Sequence, residues 1–392
     1  MAQVQVHATM VEDASFSSRL TAPGSAPSPM KISVAMATYN GERFLQEQLD
    51  SIAGQSRLPD ELVVCDDGSS DRTLEIINEF TRTAPFPVRI HKNPERLGYG
   101  DNFLQAAAKC HGDWIAFCDQ DDIWLPEKLR TIERYFRIQH HDVVLVVHNA
   151  LVVDHTLVGT GIKYPNIKKI QVRRGSDLPA LWFTGGLTMA FRADLITRCP
   201  PSGRGPGHGM PQEPLAHDAW ICWLACILGD IVMLPDTLVL YRRHSSSTTA
   251  NLAGSAGAIR ASRRMGRMIA GALADRDALV YQQMSTAMIA HSDAFGRLAS
   301  IHDGSPWHEK FRVAQQRYKS HAQWLAVRGA AYGGSHIGSR AAHLWRALRM
   351  GGYVRYYGND LLLGARALLK DAFASAVGDA RRQRIIRRVL KN

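Results

Sequence analysis

Residues 116–124 read AFCDQDDIW, three carboxylates in four positions directly after the apolar run from Trp114 to Cys118. Like charges this close repel, so the arrangement asks for a counter-charge. Side chains alternate along an extended chain, which turns Asp119 and Asp121 to one side and Asp122 to the other. Two carboxylates on one side of a strand end can share a hard divalent cation. Magnesium keeps several waters and takes one or two carboxylates plus substrate phosphates, which makes a diphosphate the missing partner. Taken alone, the same residues also make a solvated acidic turn in which Asp122 caps the next helix.

The elements that must position this cluster follow from the hydrophobic pattern. KISVAMATYN, ELVVCDD, VRIHKN and WIAFCDQDD are short β-prone runs, and each is followed by a segment with helical spacing, such as Phe44, Leu45, Leu49 and Ile52. Pro126 suits the first turn of the helix after the acidic cluster. Strands alternating with helices of this length predict an α/β fold built on a mostly parallel sheet flanked by helices. Ligands bind such sheets at the carboxyl ends of the strands. TYNG (38–41), CDDGSSD (65–71) and CDQDD (118–122) are therefore expected at one edge. HDAWICWLACILG reads as a buried helix followed by strand-like pieces. Beyond residue 250 the pattern becomes helical and basic.

Composition narrows the function classes. The 392 residues are 45% apolar, enough for a sizeable core, yet no run of about 18 apolar residues predicts a membrane span. The first 30 residues, rich in Ser, Ala, Thr and Pro, lack the basic start and apolar block of a secretory signal and read as a disordered leader. Six scattered cysteines with no C-x-x-C pair argue against a disulfide framework or zinc site and fit a reducing cytosol. The net charge of +11 is uneven: residues 251–392 hold 23 basic and 8 acidic residues, and residues 1–250 are slightly acidic. Expected divisions are a leader (1–30), an α/β domain (31–250) and a helical basic region (251–392).

SVAMATYNGERFLQEQLDSIAGQS, ELVVCDDGSSDRT, NPERLGYGDNF and WIAFCDQDDIWLPEKL, in this order, resemble the nucleotide-sugar-binding half of family-2 glycosyltransferases of the GT-A fold. TGGLTMAFRADL, HDAW and YRRH extend the resemblance to about residue 244, and its flavour is that of bacterial rhamnosyltransferases of surface polysaccharide assembly. The resemblance implies a Rossmann-like GT-A sheet and a Mg²⁺ or Mn²⁺ cofactor. It also implies roles. Thr38 and Tyr39 would border the base and ribose of the donor. Asp67 would accept the imide N–H of a pyrimidine, which suits an acceptor-only carboxylate. Asp66 and Asp67 could equally form a turn with Gly68, and Asp66 is the one left to that role. Asp121 would ligate metal, with Asp119 nearer the ribose or a metal-bound water and Asp122 structural. Arg96 would approach a phosphate, or be an exposed loop arginine. Gly185 and Gly186 would let backbone approach the sugar, or form a tight turn.

The second half of the reaction needs a base near the acceptor hydroxyl. Enzymes of the resembled family invert the anomeric centre in one displacement, and the matching carboxylate here is Asp218. Read without the resemblance, Asp218 is a favourable charge at a helix N-terminus. The family more often has Glu before this Asp, so His217 is a departure that bears on acceptor contacts. His244 stands where some relatives place a third metal ligand or phosphate contact. Arg242 and Arg243 would meet the diphosphate or be solvated. The Q-x-x-R-W motif of processive synthases is absent, which points to addition of one or a few sugars.

The implied partners are a dTDP- or UDP-sugar donor and a saccharide or lipid-linked saccharide acceptor. RRQRIIRRVLKN at the C-terminus, six basic residues in twelve, suits an anionic membrane surface, and a peripheral cytoplasmic location on the inner face of the plasma membrane is the expectation. A solvated helical face or an oligomer contact is the alternative, and nucleic acid is not expected because no recognition module accompanies the charge. Two other readings compete. A sugar nucleotidyltransferase would need a Gly-rich phosphate loop where ATYNGERF stands. A non-catalytic nucleotide-sugar or membrane scaffold would not need the full set of carboxylates.

Overall fold

The computed structural model describes residues 30–138, 142–178, 182–207, 213–244, 278–333 and 336–356, with 364, 365, 367–369, 371 and 372. The chain divides into two units. The first comprises Met1–Gly175, Phe183–Pro201 and Ala216–Ala250; the second comprises Ser176–Trp182, Ser202–Leu215 and Asn251–Asn392. The expected leader and the RRQR tail lie outside the described residues.

The first unit is built on a ten-stranded sheet. Strands β1 (Ile32–Thr38), β2 (Glu61–Asp66) and β4 (Trp114–Cys118) are buried at every position, as expected of parallel strands covered on both faces. β3 (Val88–Lys92) is the half-exposed outer strand, and its Arg89 and Lys92 charge that edge. Between them run α1 (Leu45–Ala53), α2 (Thr73–Thr81) and α3 (Tyr99–Ala108). The apolar positions of α1, Leu45, Leu49 and Ile52, are buried at the spacing that the sequence predicts.

β1 pairs in parallel with both β2 and β4, opposing Thr38 to Asp66 and Met36 to Cys118. The second half of the sheet is mixed. β4 is followed by the two-residue β5 (Ile123–Trp124), α4 (Lys128–Ile138), β6 (Val143–Val153), β7 (Gly159–Tyr164) and β8 (Gln171–Arg174). β9 (Met189–Arg192) lies antiparallel between β4 and β6 and is followed by the short α5 (Asp194–Thr197). α6 (His217–Leu228) then leads into β10 (Asp230–Arg242), which is parallel to β6 and antiparallel to β5 and β8. α6 is apolar on nearly every face and correspondingly buried, with Trp220, Ile221 and Cys222 fully covered. All six cysteines are free thiols.

In the second unit, α7 (Ala278–Ile301) and α8 (Pro306–Gly333) lie antiparallel: Ser285 Oγ donates to Ala322 O and Ser292 Oγ to Gln315 O, pairs that converge toward the turn at Gly304. α9 (Ile337–Arg349) and the short α10 (Gly352–Arg355) follow. Arg328 and Asp371 form a fully buried ion pair, and the Tyr332 and Tyr353 hydroxyls also donate to Asp371. Arg328 lies over the rings of Trp324, Tyr281 and Tyr353. Among the described residues no helix is long and apolar enough to cross a membrane.

Candidate active site

The in-register parallel pairing of β1 with β2 and β4 brings the three polar clusters to one edge, as the alternating pattern predicts. Asp66 organises the turn after β2. Its carboxylate accepts the Gly68 and Ser69 N–H groups and the Thr38 hydroxyl at 3.0 Å. Thr38 is therefore placed differently from the expectation: its side chain is buried and engaged with Asp66, and only Tyr39 of the pair is exposed. Asp67 is also buried. It accepts Leu97 N–H at 2.7 Å, Gly98 N–H at 2.8 Å and Asn93 Nδ2 at 3.0 Å, which fastens the 94–98 loop over the strand edge. Gly98 has φ +83°, a conformation that favours glycine, and opens α3 from there. In the same loop the Arg96 guanidinium lies 4.0 Å above the Tyr39 ring. That places Arg96 at the Tyr39 end of the edge, in a cation–π contact.

The acidic loop is held from two sides. Gln120 exchanges hydrogen bonds with the backbone of Tyr39, accepting its N–H at 2.9 Å and donating to its carbonyl at 3.0 Å. Gly41 leaves room for this amide, since a Cβ there would stand 2.3 Å from Gln120 Oε1. On the other side, Asp122 is fully buried and accepts Arg242 N–H at 2.9 Å, the structural role expected of it. Arg242 itself is buried. Its guanidinium donates to Asp121 O, His155 O and Glu47, and lies 4.3 Å over the Phe44 ring. It neither meets solvent nor points to an open phosphate position, contrary to both readings of the sequence. Arg243 donates to the Tyr241 hydroxyl at 2.6 Å.

His244 and Asp121 are brought together, with Nε2 2.7 Å from Oδ2. Asp119 joins them electrostatically. Its carboxyl is pushed up to about 7 by burial and by the neighbouring carboxylates of Asp121 and Asp218. The Asp218 carboxylate, a hundred residues later in the chain, thus adds its negative charge to the field at the acidic loop. Burial and the carboxylates of Asp121 and Asp119 push Asp122 up as well, while burial pulls the Lys128 ammonium down to about 7. Lys128 opens α4 as a fully buried cation, donating to Leu187 O at 3.0 Å and lying 3.7 Å over the Trp124 ring.

Among the described residues, no group of three or more His, Cys, Asp or Glu side chains is already gathered around a metal position. The donor set nevertheless fits a hard divalent cation. Asp119 and Asp121 carry hard oxygen donors whose mutual repulsion a cation would relieve, and magnesium needs only one or two carboxylates from the protein.

Asp218 sits in the first turn of α6, half-buried, where the helix dipole favours an anion; its Oδ1 accepts Ala219 N–H at 2.7 Å. His217 turns the other way. Its ring is buried, stacked on Phe103 with centroids 4.2 Å apart and edge-on to Phe117 at 4.9 Å. His217 thus packs the start of α6 onto α3 and β4, which is a core role in place of the expected acceptor contact. A Cβ on Gly186 would stand 2.7 Å from His217 Nε2, so the absence of a side chain at Gly186 serves this packing. Gly185 N–H donates to the Tyr164 hydroxyl at 2.9 Å.

Sequence reasoning missed Gln120, Asn93, Lys128 and Glu47. Only Gln120 carried a local signal, as the middle residue of D-x-D beside a glycine-bearing loop.

Residues 33–195 match the model of Glycosyl transferase family 2. The chain is 27% identical over 234 residues to an uncharacterized glycosyltransferase of Nostoc sp., an alignment covering 58% of this chain and 69% of the relative. It is 38% identical over 99 residues to the dTDP-rhamnosyl transferase RfbG of Shigella flexneri, covering 24% of this chain and 34% of that one. Among solved structures, S. aureus TarS 1-349 in complex with UDP-GlcNAc superposes with a TM-score of 0.47 at 19% identity, covering 88% of this chain and 90% of that one. The segment that builds the acidic strand edge thus matches Glycosyl transferase family 2, and the chain is a glycosyltransferase.

Proposed function

We propose that the protein transfers a sugar from a nucleoside-diphosphate sugar to a saccharide acceptor, with inversion and with a divalent cation at the acidic edge. The observation that carries this reading is geometric: His217 packs edge-on to Phe117 near the end of β4, which sets the first turn of α6 and its Asp218 beside the strand end whose acidic loop pairs Asp121 with His244. A leaving-group site and a base for the acceptor then share one edge. Asp121 and Asp119, with His244 beside them, would hold Mg²⁺ or Mn²⁺, which when bound supplies positive charge to the departing diphosphate. Tyr39 would border the base and ribose of the donor and Arg96, over its ring, would approach a phosphate, next to the turn that Asp67 fastens.

Asp218 takes the proton from the acceptor hydroxyl as that oxygen forms its bond to the anomeric carbon. The bond from this carbon to the diphosphate oxygen breaks in the same displacement, so the configuration inverts. A carboxylate serves as this base when it is ionised and within hydrogen-bond reach of the hydroxyl. The dipole of α6 favours the ionised form.

The similarity to a dTDP-rhamnosyl transferase supports dTDP-L-rhamnose as donor, with a UDP-sugar as the alternative, and a role in cell-surface polysaccharide assembly. A lipid-linked acceptor at the inner face of the plasma membrane completes the proposal. The test is nucleoside diphosphate release from a panel of dTDP-, UDP- and GDP-sugars, with Mg²⁺ or Mn²⁺ and then with chelator. One donor should be turned over in a metal-dependent manner, and Asp121→Ala should abolish turnover. Asp218→Asn should stop transfer while leaving calorimetric donor binding intact. Binding of none of the nucleotides would refute the reading.

A further inference from the structure

α9 is exposed on most of its surface: of its thirteen residues only Ala347 is buried, and the Ala347 carbonyl accepts Trp324 Nε1–H at 3.1 Å. The residues turned outward are not those of a solvated helix. Ile337 and Trp345 are each 62% exposed, and Leu348 is 38% exposed. At about 100° per residue, Ile337, Leu348, Ala341 and Trp345 fall within an arc of about 80°. Arg349 and Arg346 continue from the Trp345 side of that arc, and both are exposed. The next helix repeats the chemistry on a smaller scale, with Val354 42% exposed beside Arg355. From residue 337 to residue 359 the sequence has no Asp or Glu.

We propose that this face of α9 docks on an anionic lipid bilayer, with the helix lying in the plane of the surface. Trp345, Ile337 and Leu348 enter the boundary between headgroups and acyl chains. Arg346 and Arg349 extend their apolar stems along it and set their guanidinium groups among the phosphates. Tryptophan is enriched at that depth because an indole has an apolar body and one N–H donor.

Charge selects this occupant over a second copy of the chain. A two-fold pairing of α9 helices would bring each arginine-bordered stripe against another with no acidic residue on the helix to answer it. An anionic membrane surface provides the complementary charge, and the 23 basic against 8 acidic residues of 251–392 act in the same direction. The inference stands on the helical unit alone and does not depend on the transferase reading.

The test is flotation of the full chain with vesicles of phosphatidylcholine, and of phosphatidylcholine mixed with phosphatidylglycerol. The protein should float with the anionic vesicles and be released by salt. Trp345→Ser with Leu348→Ser, and separately Arg346→Glu with Arg349→Glu, should each weaken the apparent lipid affinity by about tenfold or more. Far-UV circular dichroism should be unchanged in both, since these side chains are exposed. Undiminished flotation of the α9 variants would overturn the proposal, as would flotation lost only when the arginines at 381–388 are replaced. Self-association that the same α9 substitutions abolish, with no vesicle binding, would overturn it in favour of a protein interface. Donor binding should be the same in every variant, so failure here is separable from failure of the transferase reading.

Discussion

Gln120 and Tyr39 form a reciprocal pair in which one side-chain amide satisfies both the N–H and the carbonyl of one residue, at 2.9 and 3.0 Å. The pair bridges the ends of β1 and β4, fixing the spacing between the exposed Tyr39 ring and the carboxylates on either side of Gln120. Replacing Gln120 by Leu removes both bonds, each contributing about 1 kcal/mol. The expected outcome is donor binding weaker by about tenfold, because the loop must then be ordered when the nucleotide arrives. Calorimetry with UDP and dTDP reads this directly, and an unchanged affinity would refute the bridge as a determinant of the donor site.

Arg242 should behave as a structural residue. Its guanidinium holds Asp121 O, His155 O and Glu47 together from within the protein. Arg242→Met should lower stability by about 2–3 kcal/mol, since it removes the buried guanidinium with its bonds to the part-buried carbonyls of Asp121 and His155, while the half-exposed Glu47 remains solvated. Chemical denaturation gives the number. A loss of activity at wild-type stability would instead place this arginine on the substrate.

Asp119 yields a pH signature with a defined sign. With its carboxyl raised to about 7 by burial and by Asp121 and Asp218, the folded protein binds more protons than the unfolded chain between the ordinary carboxylate range and pH about 7. Its contribution to stability therefore falls as pH rises through that window, by at most about 1.4 kcal/mol per pH unit. Metal-free Asp119→Asn should be more stable than wild type at pH 8, and the advantage should vanish near pH 4. Added Mg²⁺ or Mn²⁺ should raise the wild-type melting temperature at pH 8 and leave the variant nearly unmoved. Thermal melts at the two pH values, with and without cation, decide the matter.

The ion pair of Arg328 with Asp371 sets the stability of the helical unit. Arg328→Met leaves a fully buried carboxylate whose remaining partners among the described residues are the Tyr332 and Tyr353 hydroxyls. About 3–5 kcal/mol should be lost. Arg328→Met combined with Asp371→Leu should recover part of that loss. Equal stability of the single and double variants would show that the pair is not coupled.

The parallel half of the sheet was legible because each strand is a short apolar run and each helix has a clear stripe. The ends of β1, β2 and β4 fall at the predicted polar clusters. The antiparallel placement of β9 between β4 and β6 carries no local signal, since it depends on which strands are free to pair. Site residues divide in the same way. Asp121 and His244, both singled out in the sequence, lie 2.7 Å apart, but Thr38 proved to serve Asp66, and Arg242 proved to be buried. Those two roles depend on partners 28 residues or more away in the chain. Lys128 looked like one more helix charge, and only tertiary structure shows a cation enclosed beneath the acidic loop.

The fastening of Asp121 and Asp122 by Arg242 spans some 120 positions of chain. A nascent polypeptide must therefore expose its acidic loop uncompensated until β10 has been synthesised and paired with β6. Contacts of such long range are late and slow to form because loop closure must come first. A chain stopped short of residue 242 would keep its early strands and helices yet lack the clasp at their ends. Among the described strands β10 is the last to be made, and its pairing is in this sense the step that completes the acidic edge.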